Sequence, residues 1–129
     1  EGAQGLVAIS MARIACGQPV SILGEGSAIK DYVYIDDFVD AVIRLLNTSE
    51  ASGPFNIGSG QGRSVREVID LVAKTVGKDA IVESKPTQAG DVQNSVLAID
   101  KITSLTGWKP ATDFAEGLAA TWKWMSPKL

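Results

Sequence analysis

A chain of 129 residues with 45% hydrophobic and 21% charged residues has the composition of one folded globular unit, not of a disordered segment. It has no histidine and one cysteine, Cys16, which excludes Ser-His-Asp catalysis, imidazole metal sites, an internal disulfide and a thiolate zinc cluster. A net charge of −3 lacks the basic footprint of a nucleic-acid binder, and no apolar run reaches the roughly 20 residues that cross a bilayer.

The first element expected is a helix over about residues 6–16, stopped by Gly17 and Pro19. Val20-Ser21-Ile22-Leu23 predicts a strand, ended by the turn-like Gly24-Glu25-Gly26-Ser27. Tyr32-Val33-Tyr34-Ile35 is rich in strand formers and predicts a second strand. Asp36 is expected to cap a helix over about residues 37–46. Its apolar residues Phe38, Val39, Ala41, Val42, Ile43, Leu45 and Leu46 cover most of the circumference, which predicts burial on more than one side. A surface loop over residues 47–54 leads to a third short strand, Phe55-Asn56-Ile57.

The clearest helix signal follows the loop Gly58-Ser59-Gly60-Gln61-Gly62. Ser64 and Glu67 form a capping box, in which each side chain satisfies an orphan backbone N–H. Val65, Val68, Ile69, Val72 and Val76 then mark one helical face, and Gly77 ends it. Ala80-Ile81-Val82 predicts a fourth strand, and residues 85–95 a polar loop. A short helix near residues 100–106 stops at Gly107, and Trp108-Lys109-Pro110 forms a rigid connector. Asp113 and Glu116 repeat the capping-box pattern ahead of a helix with Phe114, Leu118, Trp122 and Met125 on one face. The fold class is therefore α/β: a small mixed unit over residues 1–129, with about five helices and four short strands.

Several residue groups have the types that carry chemistry. The loop over residues 58–62 sits between a strand and a helix, the setting of a dinucleotide fingerprint, but Arg63 stands where the third glycine belongs. Asp31, Asp36, Asp37 and Asp40 cluster as metal ligands or acid/base pairs do. Their spacing lacks a metal-loop pattern, and Asp36 and Asp37 suit the positive end of a helix. Tyr32 and Tyr34 have no lysine four residues on and read as packing residues. Arg63 and Arg66 flank a helix start, as an anion-holding pair or a solvated surface. Cys16, with only Arg13 nearby, reads as a small buried apolar residue.

The run Gly24-Glu25-Gly26-Ser27-Ala28-Ile29-Lys30-Asp31-Tyr32-Val33-Tyr34-Ile35-Asp36-Asp37 resembles a signature of the NAD-dependent epimerase/dehydratase family. These are extended short-chain dehydrogenases acting on nucleotide sugars, with UDP-glucose 4-epimerase among their members. The likeness continues through Phe55-Asn56-Ile57-Gly58-Ser59-Gly60, Gly90-Asp91-Val92, Leu105-Thr106-Gly107-Trp108-Lys109-Pro110 and Glu116-Gly117-Leu118, in family order, over nearly the whole chain.

The resemblance implies the C-terminal, substrate-binding region of such an enzyme, joined to the last elements of a Rossmann-type domain. The Gly-rich NAD loop and the Tyr-x-x-x-Lys pair belong to the family's N-terminal half and do not occur in this sequence. The chain opens on Glu1, not Met, in keeping with a longer parent. NAD is then expected in the missing N-terminal Rossmann half, and the chain alone is expected to be inactive. By the same resemblance Leu6 approaches the diphosphate and sugar, and Ser21 and Leu23 line the base pocket. Lys30 and Gln88 stand where the family has arginines on the diphosphate, and Asp91 matches an acid that accepts from ribose hydroxyls. Lysine is a point charge and glutamine is neutral, so the grip on phosphate is expected to be weaker than an arginine fork gives. The implied partners are a nucleotide sugar such as a UDP-sugar and the missing half, with no nucleic acid and no membrane. The implied location is the cytoplasm. A fragment whose apolar face the missing half normally covers is expected to self-associate. The alternative is a stand-alone, non-enzymatic nucleotide-sugar-binding or interaction module.

Overall fold

The computed structural model describes residues 5–87 and 90–129. In chain order its elements are α1 (Leu6–Ala15), β1 (Val20–Leu23), β2 (Ile29–Asp31), α2 (Ile35–Leu46), β3 (Gly62–Ser64), α3 (Val65–Val76), β4 (Val82–Lys85), β5 (Asn94–Ser95), α4 (Asp100–Thr106) and α5 (Phe114–Met125). A 3₁₀ turn over Ser126–Lys128 follows. β1 and β4 pair in parallel, and a mixed sheet of order β3-β2-β5 holds β2 antiparallel to β3 and parallel to β5. The architecture is the small mixed α/β unit that the patterning predicts.

Helix α3 forms where the sequence places it. Ser64 Oγ accepts from Glu67 N at 3.1 Å, and the chain leaves the helix through Gly77 at φ +77°, a conformation that costs glycine little. The returning arm of the capping box is diverted, because the Glu67 carboxylate pairs with Arg63 instead. Val68, Ile69 and Val72 are fully buried against Met11 and Ile14 of α1, Val20 and Ile22 of β1, and Leu118 of α5. Burying each such side chain stabilises the fold by about 1.5–3 kcal/mol, so this cluster is the main core.

A second cluster is built from Ala41 of α2, Ile102 of α4 and Trp108, with Val33, Phe55, Ile57 and Ile99 packed around it. Trp108 is 1% exposed, and its indole Nε1 donates to the Asp37 carbonyl at 3.1 Å. That bond satisfies the one polar atom of a side chain otherwise buried for its apolar area.

Several expectations need correction. Residues 32–34 are not a strand; the ladder lies just before them, at Ile29, Lys30 and Asp31, opposite Ser64, Arg63 and Gly62. The pairing ends there because residues 59–60 curl onto the Asp31 side chain, which leaves Tyr32 no partner. Ile35 already begins α2, with Tyr34 at its N-cap and Asp36 and Asp37 in its first turn. Phe55 and Ile57 are not in a strand either. They pack on the second cluster, and no described strand lies beside them. The fourth strand is shifted to Val82–Lys85, set by the Val20↔Val82 register, and the polar loop contributes β5. Cys16 is exposed rather than buried.

Helix α2 is the largest departure. It buries only Asp37 and Ala41, while Ile35, Phe38, Val39, Ile43 and Leu46 are 40–80% exposed. Their spacing (i, i+3, i+4, i+8, i+11) is one continuous apolar stripe, so this chain covers one side of a helix whose sequence has two apolar sides. No helix among the described residues is long and apolar enough to cross a membrane.

Candidate functional site

A cleft of about 1040 Å³ opens where the two clusters approach each other. The start of α1 supplies Leu6 and Val7, and the extended segment after β2 supplies Tyr32, Val33 and Tyr34. The start of α5 supplies Phe114, Gly117 and Leu118. The Tyr32 and Phe114 rings lie 5.7 Å apart, tilted by 58°, in the offset range that aromatic pairs prefer. Tyr34 approaches α5 closely because position 117 is glycine, where a Cβ would sit 3.1 Å from the ring. Asp113 Oδ1 accepts from Ala115 N at 2.9 Å and fixes the helix start that carries Phe114.

Polar groups line and surround the cleft. Arg63 stacks its guanidinium 4.7 Å over the Phe114 ring and pairs with Glu67, so its position is held from two sides. Desolvation of the Tyr32 phenol raises its pKa above the usual 10.0. Asp31 is the hub of a part-buried network. Its carboxylate accepts from Ser59 N at 2.7 Å, Ser59 Oγ at 2.6 Å, Gly60 N at 3.0 Å and Leu97 N at 3.1 Å. Asp37, 8% exposed, accepts from Thr112 N at 2.9 Å and Thr112 Oγ1 at 3.1 Å. Two members of the acidic cluster thus hold backbone, and Asp40 pairs with Arg44 on the helix surface. No group of three or more metal-ligating side chains occurs among the described residues.

The glycine loop does not fit a dinucleotide. The Ser59 and Gly60 N–H groups that would meet a pyrophosphate already face a carboxylate, which would repel it. The loop also runs into strand β3 rather than directly into a helix.

The residues singled out in the sequence fall in different places. Leu6 lines the cleft. Lys30 sits on β2, and its Nζ donates to the Val92 carbonyl, which brings it against the Asp91-Val92 segment. Ser21 and Leu23 lie on β1, in register with Glu83 and Lys85 of β4, and Gly24 N donates to Lys85 O at 2.7 Å. Leu23 is 44% exposed. The strand that pairs with β1 therefore precedes, along the chain, the segment that reaches Lys30, while Leu6 lines the cleft beside Asp31. Gln88 lies outside the described residues. Sequence reading missed the aromatic cleft and the Asp31 hub. The available signal for the hub was the flanking of Ser59 by Gly58 and Gly60, whose bare N–H groups need an acceptor.

Comparison with known proteins places this geometry. The family model described as GDP-mannose 4,6 dehydratase matches residues 2–121. UDP-glucose 4-epimerase of Mycolicibacterium smegmatis is 36% identical over 120 residues, covering 93% of this chain and 38% of the relative. A probable UDP-glucuronate 4-epimerase of Rhizobium meliloti is 33% identical, covering 84% of this chain and 37% of the relative. The solved UDP-glucose 4-epimerase of Thermotoga maritima with UDP-glucose superposes with a TM-score of 0.91 at 35% identity, over 98% of this chain and 41% of that one. The Thermus thermophilus enzyme in complex with NAD gives 0.88 at 33% identity, over 100% and 42%. The chain thus spans about two fifths of the length of the relatives it matches. It belongs to the NAD-dependent epimerase/dehydratase family.

Proposed function

We propose that this chain is the nucleotide-sugar-binding portion of an NAD-dependent sugar epimerase or dehydratase. The observation that carries the reading is the superposition on the Thermotoga maritima enzyme crystallised with UDP-glucose, which extends over nearly all of this chain. Lys30 supplies a cation for the diphosphate, held beside the Asp91-Val92 segment by its bond to Val92 O. Asp91 accepts from ribose hydroxyls, Ser21 and Leu23 border the base, and Leu6 approaches the diphosphate and sugar. A lysine in place of an arginine fork gives fewer directed bonds to phosphate, so affinity is moderate. The parent works in the cytoplasm, and its hydride chemistry belongs to a part outside this chain, which carries no Tyr-x-x-x-Lys sequence and is inactive alone.

The apolar stripe of α2 supports the same reading. Five large side chains exposed in one line are an unfinished interface. About three fifths of each relative's length lies outside the part this chain matches, and the counterpart of that portion is what the stripe packs against. Titration with UDP-glucose followed by calorimetry tests the reading. Saturable binding that weakens about tenfold in Lys30→Ala, the loss of one charge-assisted contact, is expected. Equal affinity of wild type and Lys30→Ala overturns the assignment of Lys30.

A further inference from the structure

The two hydrophobic clusters are separate bodies of packing, and Asp31 stands between them. Strand β2 belongs to the first: just upstream of it Val65 N donates to Ala28 O at 2.9 Å, and Arg66 N to Gly26 O at 2.9 Å, which tie it to the start of α3. The donors on the Asp31 carboxylate belong to the second. Ser59 and Gly60 follow Ile57, and Leu97 precedes Ile99, and both isoleucines pack around Trp108. One side chain on the first body therefore grips two segments that border the second.

The grip needs both oxygens of a side chain of this length. Two oxygens of Asp31 take four donors, three of them backbone N–H groups. An amide at this position would keep one acceptor oxygen and turn its N–H₂ against N–H donors. The opposing backbone is equally tight, since a Cβ on Gly58 would sit 2.7 Å from Asp31 Oδ2 and 2.9 Å from Leu97 Cδ1. Asp31 and Ser59 also line the cleft together with Leu6 and Phe114 from the first body and Val33 from the second.

We propose that Asp31 is a positioning residue, whose carboxylate fixes the orientation of α2 and α4 against α1, α3 and α5 and so sets the width of the cleft between them. The consequence for a ligand rests on the nucleotide-sugar reading above; the clamp itself does not.

The test uses isotope-labelled wild type, Asp31→Asn and Ser59→Ala. Amide exchange reads the clamp, and residual dipolar couplings read the orientation of α2 against α3, which a general loss of stability would leave unaltered in the folded population. Asp31→Asn is expected to speed exchange at Ser59, Gly60 and Leu97 at least about tenfold while Val72 keeps its protection, and to shift or average the α2 couplings against those of α3. Ser59→Ala removes the one hydroxyl donor and is expected to move the same amides in the same direction by less. Unchanged protection and couplings in Asp31→Asn overturn the proposal. Where Asp31→Asn does not fold, unchanged exchange at Gly60 and Leu97 in Ser59→Ala overturns it. UDP-glucose affinity on the same samples separates the two readings. Binding by wild type that weakens about tenfold in Asp31→Asn supports the link to the cleft, and equal affinity overturns it. No binding by wild type overturns the functional reading, while exchange and couplings still decide the clamp.

Discussion

Replacing Asp37 by alanine tests whether polar pins hold the second cluster. Asp37 is 8% exposed, and its two carboxylate oxygens take the N–H and hydroxyl of Thr112 at 2.9 and 3.1 Å. Removing the carboxylate strips two bonds to a charged acceptor, about 1.5 kcal/mol each, and the interaction of a negative charge with the start of α2, about 0.5 kcal/mol. The sum is about 3.5 kcal/mol. At an unfolding entropy of about 2.1 cal/mol/K per residue, a 129-residue chain then loses about 13 °C in Tm. Asp37→Asn keeps an oxygen for Thr112 N and offers an amide N–H to Thr112 Oγ1, so it should cost only about 1 kcal/mol. Thermal unfolding followed by circular dichroism at several scan rates measures both. If Asp37→Ala loses no more than Asp37→Asn, the hydrogen bonds to Thr112 contribute nothing beyond charge and the reasoning fails.

Other perturbations probe other levels of the account. Ile69→Ala opens a void in the fully buried centre of the first cluster and should cost about 3–4 kcal/mol in denaturant unfolding. Gly62→Ala places a Cβ 2.5 Å from Ile29 Cγ2 and 2.8 Å from Val96 Cγ2, so the β2–β3 pair must shift, at about 1–3 kcal/mol. Because burial raises the Tyr32 phenol above 10.0, the unfolded state loses that proton first. The stabilisation is complete below pH 10 and falls as pH rises past it, and Tyr32→Phe should flatten this alkaline limb in stability measured against pH. The uncovered α2 stripe predicts concentration-dependent association in sedimentation experiments, reduced in Ile43→Lys; a wild-type monomer at every concentration would contradict it.

The helices were legible because their signals are local. The Ser64 cap, the spacing of Val68, Ile69 and Val72, and Gly77 all lie within one segment, and they agree with one another. Strands depend on partners far along the chain. Tyr32-Val33-Tyr34 has better strand propensity than Ile29-Lys30-Asp31, yet the ladder forms where Arg63 and Ser95 are available to pair. The same limit applied to the polar residues. The acidic cluster reads from sequence as structural, but nothing near Asp31 announces that Ser59, Gly60 and Leu97 donate to it. The apolar excess of α2 was plain in the sequence, whereas its exposure depends on what else is present to cover it. Motif order identified the family from short blocks that each carry little. The aromatic cleft had no sequence signal, because Tyr32, Arg63 and Phe114 meet only when β2, β3 and α5 are packed.

The most direct test of the central claim is a heteronuclear NMR titration of the chain with UDP-glucose. The account predicts saturable shifts of the amide resonances of Leu6, Ser21, Leu23, Lys30 and Asp91, with the far end of α3 undisturbed. A spectrum unchanged at millimolar UDP-glucose, or shifts confined to residues remote from all five, would contradict it.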